Sequence, residues 1–337
     1  MRAPCQLEHP RSLLPLLEAF SGRRVLVVGD IVADHYIYGE TDRISREAPV
    51  LIVRYERSEV QLGGAGNAGA NLRDLGASVT ALGVVGRDEM GAQIRAHCRK
   101  RGIRLVSPKA RGLVTETKTR ILAGGLNTRR QQMLRLDRGA PGPLSEDVQA
   151  QLAGLLGELA GEADAILVSD YGGGVLGEKV IAASLAAARS KAPVCVDSRY
   201  NLRAFAGATL LKPNEPEFEA LAGARPENDA ELLRTIRRTR KRVPSKAMVV
   251  TRGRNGMVLA QGEAITVIPP HGSRPAVDVT GAGDTVGATL TLALAAGASF
   301  EEAARLANIA GALKVQKMGT VTVSFAELRR ELEEPQA

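Results

Sequence analysis

Asp278-Val279-Thr280-Gly281-Ala282-Gly283-Asp284-Thr285, followed at once by Val286-Gly287-Ala288-Thr289-Leu290-Thr291-Leu292-Ala293-Leu294, is the stretch on which the reading of this chain turns. The small residues let backbone N–H groups crowd together, and the apolar run after them reads as a helix whose positive dipole end points at the same place. Asp284 falls in its first turn, where that dipole suits a carboxylate. The order describes an anion cradle with a base built in. Phosphoryl transfer needs both: fixed donors for the charge on the transferred group, and a carboxylate to take the proton of the attacking hydroxyl. Asp284 is the expected base, and Gly281, Ala282 and Gly283 the expected donors. A tight strand-to-helix turn with an ordinary first-turn acid would use the same letters, so the rest of the chain decides between them.

Outward from this stretch, short apolar runs bounded by Gly or Asp recur. They are Val25-Leu26-Val27-Val28-Gly29-Asp30, residues 78–86, Ala165-Ile166-Leu167-Val168-Ser169-Asp170, Val194-Cys195-Val196-Asp197 and Ala247-Met248-Val249-Val250-Thr251. Such runs suit strands covered on both faces. Helical stretches at 145–160 and 178–190 lie between them, and strands alternating with helices imply an α/β fold with a mostly parallel sheet. Residues 33–60 and 113–137 break the rhythm. They read as extended strands without helices, a small inserted β-sheet that could serve as a lid. Residues 1–23 form an N-terminal extension in which 11–20 could pack as a short amphipathic helix, ahead of one large unit at 24–332.

The 337 residues, 44% hydrophobic and 24% charged, have the balance of a soluble globular protein. Aromatics are only 3% with no Trp, which supplies a single-strand stacking surface poorly. The net charge of +8 draws on Arg234, Arg237, Arg238, Arg240, Lys241 and Arg242. That run suits a solvated helical face or a positive field for phosphorylated small molecules, and specific nucleic-acid binding is not expected. Three scattered cysteines, and no run resembling a signal core or membrane span, favour a cytoplasmic protein.

Three further clusters carry polar chemistry. In Gly63-Gly64-Ala65-Gly66-Asn67, bare backbone amides and an amide side chain suit sugar hydroxyls, although Gly and Ala also simply let a helix pack closely. Asp34, beyond the first strand, is a candidate hydroxyl acceptor or a turn cap. In Lys212-Pro213-Asn214-Glu215-Pro216-Glu217, Asn214 and Glu217 emerge at a strand's C-terminal end, where α/β sheets collect ligands. They could hold hydrated Mg²⁺, or cap a helix, or both. Thr251-Arg252-Gly253-Arg254-Asn255-Gly256 suits a nucleotide-side loop or a hairpin turn.

Taken in order, these segments resemble the ribokinase or PfkB superfamily of carbohydrate kinases over residues 24–330. The resemblance implies a ribokinase-like three-layer fold in which Asp284 is the catalytic base and the Gly281, Ala282 and Gly283 amides form the anion hole. Asn214 and Glu217 would lie in the Mg²⁺ and phosphate region. Thr251, Gly253, Gly256 and Asn308 would line the ATP site with Asn214. Asp278 and Thr280 would border a monovalent cation, K⁺, closed by backbone around residues 317–319. The lid would also form a homodimer interface.

Within the family, Asp34 to Gly39, Arg43 to Val50, Thr117-Lys118-Thr119-Arg120, Gln131 to Asp137 and Ser169-Asp170-Tyr171 resemble the kinases of D-glycero-D-manno-heptose 7-phosphate. Asp34, Gly63, Gly64 and Asn67 would hold the sugar, and Arg43, Lys118, Arg120 or Arg135 could grip its distal phosphate. The implied activity is ATP-dependent phosphorylation at O1 for ADP-heptose synthesis. Another sugar or nucleoside as acceptor, or a catalytically silent sensor on the same fold, are the alternatives. Gly173 and Asp197-Ser198-Arg199-Tyr200 stand where this group usually carries Lys and Asp-Pro-Lys-Gly. No His-x-Gly-His segment of the kind some relatives carry occurs, so one activity is expected.

Overall fold

A computed structural model describes residues 10–125, 130–139, 143–189 and 192–334. Its strands, in chain order, are β1 (Arg24–Gly29), β2 (Ile31–Ile44), β3 (Leu51–Gly64), β4 (Ser78–Leu82), β5 (Arg104–Val106), β6 (Glu116–Gly124) and β7 (Gln131–Arg138). They continue as β8 (Ala165–Asp170), β9 (Val194–Ser198), β10 (Leu210–Leu211), β11 (Ala247–Thr251), β12 (Met257–Gln261) and β13 (Ala264–Ile268). The helices are α1 (Leu14–Glu18), α2 (Ala65–Asp74), α3 (Glu89–Lys100), α4 (Glu146–Ala160), α5 (Glu178–Ala188), α6 (Glu215–Ala222), α7 (Asp229–Arg242), α8 (Ala282–Ala295), α9 (Phe300–Lys314) and α10 (Phe325–Glu333).

A nine-stranded sheet in the order β13-β12-β11-β10-β9-β8-β1-β4-β5 forms the middle layer, parallel from β5 to β11. Alternation along β1 shows why both faces must be covered. Val25 and Val27 pack with residues of α2, α8 and α9, while Leu26 and Val28 pack with residues of α4, α5, α6 and α7. The hairpin β11-β12-β13 closes one side antiparallel. β4 stops at Leu82, short of the expected 86, because the chain turns at Gly83, where a Cβ would run into the Gly29 carbonyl. Beyond the turn, Gly86 N–H donates to Thr115 Oγ1.

A separate four-stranded sheet, β3-β2-β6-β7, is built from the two stretches that broke the α/β rhythm. β2 pairs antiparallel with β3 and parallel with β6, and β7 lies at the edge. Residues 113–115 lead into β6 and tie it to the N-terminus of α3, since Thr115 N–H donates to Asp88 Oδ2. Leu13, Leu17 and Phe20 of the N-terminal helical turns are buried in the main core, as amphipathic spacing predicts. In α7 the basic run is largely exposed, with Arg240 and Arg242 donating to nearby carbonyls of Gly262 and Ala222. No helix among the described residues is long and apolar enough to cross a membrane.

Candidate active site

α8 begins at Gly281, whose φ of +75° places it in the left-handed region. A Cβ there would lie 2.9 Å from Asn67 Nδ2, so glycine suits the position for two reasons. One helical turn on, Asp284 is buried at 5% exposure. Its Oδ2 accepts from Asn67 Nδ2 at 2.6 Å and its Oδ1 accepts from the Tyr171 hydroxyl at 2.7 Å. Burial raises its pKa to about 6, against the pull of those two hydrogen bonds. Burial, then the Asp284 charge, hold the Tyr171 phenol well above its ordinary range, so it stays a donor. Asn67 is steadied by Asn71, which donates to the Asn67 carbonyl at 2.9 Å and accepts from Thr285 Oγ1 at 2.8 Å.

The sugar side is assembled by the small sheet. Asp34 on β2 accepts from Arg120 Nη1 on β6 at 2.5 Å. Gly63 packs against the Asp34 carboxylate so closely that any Cβ would displace it, and Gly64 does the same against the Asp30 carbonyl. Lys118 stands opposite Asp34 in the ladder, its ammonium 5.3 Å from the centre of the Tyr171 ring. Burial, then Arg199, push its pKa below the ordinary lysine value. The Arg199 guanidinium lies 4.3 Å over the same ring. Both cations therefore meet on the tyrosine that touches Asp284. Arg135 is placed differently: it faces Arg120 across the β6-β7 ladder but is half exposed and paired with Asp137 at 2.9 Å. Arg43, at the far end of β2, is exposed.

Asp30 organises the loop beneath. Its carboxylate accepts from the backbone N–H of Tyr171, Gly173 and Val175 at 2.7, 3.0 and 3.2 Å. A Cβ on Gly173 would lie 2.9 Å from Asp30 Oδ1, so glycine fits this tight loop. In the other departing segment, Asp197 pairs with buried Lys212 at 3.0 Å, and Ser198 Oγ donates to Asp170 at 2.6 Å.

On the opposite side, β10 runs through Lys212 into Asn214, which bridges to Thr251 at the end of β11. Asn214 and Glu217 form a complete capping box: Oδ1 of Asn214 accepts from Glu217 N–H at 2.8 Å, and Glu217 Oε2 accepts from Asn214 N–H at 2.9 Å. The box consumes one Glu217 oxygen, and burial raises the pKa of that carboxyl against the attraction of Lys212. Gly253, at φ +52°, opens a 3₁₀ turn joining β11 to β12, so the segment is a hairpin turn. Gly256 follows at φ +75°, and a Cβ there would strike the Ile268 carbonyl. Asn308 Nδ2 donates to the Pro269 carbonyl at 2.7 Å. Gly256 and Asn308 are thus gathered around residues 268–270, and Thr251 pairs with Met257 across the hairpin.

Asp278 staples the turn before α8. Its Oδ1 accepts from Thr280 N–H at 2.9 Å and its Oδ2 from Gly319 N–H at 2.7 Å. Partial burial opposes ionisation, but these bonds hold its pKa below the ordinary carboxylate value. Fully buried Lys314 lies beside this staple, a residue the sequence did not single out. Tyr171 and Lys212 were likewise missed as site members. Both lie inside segments already quoted, but tyrosine and lysine carry no spacing rule of their own that would mark them as site members.

A cradle of small residues over a buried carboxylate, with one polar wall from an inserted sheet and another from strand ends, defines a phosphoryl-transfer site on a ribokinase-like fold. The pfkB family carbohydrate kinase profile matches residues 23–326, and the chain belongs to that family. A protein of Nitrobacter hamburgensis named Bifunctional protein HldE is 40% identical over 95% of this chain, which spans 65% of that protein's length. One of the same name from Caulobacter vibrioides is 41% identical over 94% of this chain and 65% of its own. Phosphofructokinase-2 from Escherichia coli, solved in complex with potassium, superposes with a TM-score of 0.74 at 22% identity, covering 93% of this chain and 98% of that one. Arabidopsis thaliana ribokinase with ribose and ATP superposes at 0.69 and 21% identity, over 93% and 99%. The two solved structures share the fold.

Proposed function

We propose that the protein transfers the γ-phosphoryl group of ATP to O1 of D-glycero-D-manno-heptose 7-phosphate, giving the 1,7-bisphosphate used for ADP-heptose. The observation that carries this reading is the convergence of Lys118 and Arg199 on Tyr171, beside the Asp34–Arg120 pair and one hydrogen bond from Asp284. An acceptor sugar that already carries a phosphate would meet those cations while its hydroxyl faces the base. The chain's relatives named Bifunctional protein HldE are consistent with a shared acceptor class.

Asp284 takes the hydroxyl proton on Oδ1 or Oδ2, the freed oxygen attacks the γ-phosphorus, and the bond to the β-bridging oxygen breaks to release ADP. The Gly281, Ala282 and Gly283 amides receive charge on the transferred group. Asn214 and Glu217 would hold hydrated Mg²⁺ through its waters, and the metal would offset phosphate charge there. Thr251, Gly253, Gly256 and Asn308 border the nucleotide. The small sheet acts as a lid that keeps water, a competing acceptor, from the phosphoryl group, and two copies pair through it in the cytoplasm.

The test is an acceptor panel at fixed ATP: heptose 7-phosphate, fructose 6-phosphate, ribose, fructose and adenosine, with the phosphorylated position assigned by NMR. Highest kcat/KM on the heptose phosphate, with product at O1, is expected. Preference for an unphosphorylated sugar or a nucleoside sinks the assignment.

A further inference from the structure

Lys314 ends α9 with none of its surface exposed, among the largest enclosed side chains of the described residues. An ammonium enclosed in this way requires acceptors or negative charge around it. Its Nζ donates to the Lys317 carbonyl at 3.4 Å, a long bond. Its Cε lies 3.8 Å from where a Gly281 Cβ would stand, which puts the side chain against the turn that opens α8. Burial and the like charge of Lys317 push its pKa below the ordinary lysine value, and the fields of Asp278 and Asp284 oppose that shift. The Asp278 carboxylate is committed to Thr280 and Gly319 N–H, so it closes the loop around 317–319 over this point.

This is the neighbourhood in which the family resemblance puts a free monovalent cation, bordered by Asp278, Thr280 and the backbone of 317–319. A carbonyl of that loop is already faced by a covalently attached positive charge, and the nearby carboxylates supply the field that either cation would use. Two cations in one enclosed site would repel each other strongly. We propose that the Lys314 ammonium stands in for the free monovalent cation, holding the 278–281 turn in its phosphoryl-binding shape without K⁺. A tethered cation also requires no binding equilibrium, so the cradle would be set in the folded chain itself.

The activity arm of the test rests on the kinase reading, and a melting arm does not. Wild type, Lys314→Met and Lys314→Ala are titrated with KCl at ionic strength held constant by choline chloride. The melting temperature and kcat of the wild type are expected not to move with K⁺. In choline, Lys314→Met should lose at least about tenfold in kcat. Lys314→Ala, which leaves room for an ion, should show a melting temperature that rises with K⁺ and a kcat that K⁺ restores. A K⁺-dependent rise in wild-type melting temperature or turnover overturns the proposal, as does wild-type turnover of Lys314→Ala in choline. If Lys314→Ala fails to fold, the wild-type titration alone decides, a flat response supporting the proposal and a rising one overturning it. Absence of kinase activity on every acceptor would defeat the assigned reaction and leave the melting arm intact.

Discussion

Asp284 sits in an environment that works against its own charge. With its pKa at about 6 in place of 3.8, the folded chain binds that proton more tightly than the unfolded chain does. The resulting stabilisation is fully present below pH 3.8 and gone above about 6, so at pH 8 the ionised carboxylate costs about 3 kcal/mol. Turnover has the opposite dependence, because a base must be unprotonated: kcat/KM should fall as pH drops through about 6. Asp284→Asn should lose about a thousandfold or more in kcat while its melting temperature at pH 8 stays at or above wild type. A lower melting temperature would point to damaged folding in place of a lost base. Tyr171→Phe removes a donor that favours the ionised form, so the acid limb of the pH profile should move to higher pH. An unmoved limb would show that the phenol does not tune Asp284.

At the scale of elements, the proposed nucleotide side depends on turns more than on helices. Gly256 carries a positive φ and lies against the Ile268 carbonyl, next to the segment that Asn308 also grips. Gly256→Ala should cost roughly 1–3 kcal/mol of stability and raise KM for ATP far more than KM for the sugar. Equal effects on both KM values would separate that turn from the nucleotide. The capping box of α6 has a double use in the proposed reaction. Asn214→Ala should destabilise by about 1 kcal/mol through the lost cap, and a further rise in KM for Mg·ATP would report its ligand-side contribution. Unchanged KM would leave the cap as its whole contribution.

For the whole molecule, the small sheet leaves Ile44, Leu51, Tyr55, Met133, Leu134 and Leu136 exposed. Apolar side chains exposed along β2, β3 and β7 support the proposed pairing of two copies through this sheet. A Leu134→Asp/Leu136→Asp protein should run at half the wild-type mass in light scattering, with loss of activity if lid pairing shapes the sugar site. A wild-type monomer would end the pairing model. The central strands were legible because β-branched runs bounded by Gly and Asp have few other solutions. The antiparallel return of β12 was legible only as one of two readings of the Thr251 to Gly256 turn, and β13 was not singled out, because a glycine turn fits a hairpin and a ligand loop equally until its pairing is known.

Local chemistry in the sequence determined the glycine turn before α8, the first-turn carboxylate, the α/β alternation and the inserted sheet, since each depends on neighbours within a few residues. Tertiary structure alone decided what that carboxylate touches. Tyr171 reaches Asp284 across 113 residues and Asn67 across 217, and Lys314 arrives from another helix. Burial, which sets the pKa of Asp284 and encloses the Lys314 ammonium, is a property of the packed molecule and of no single segment.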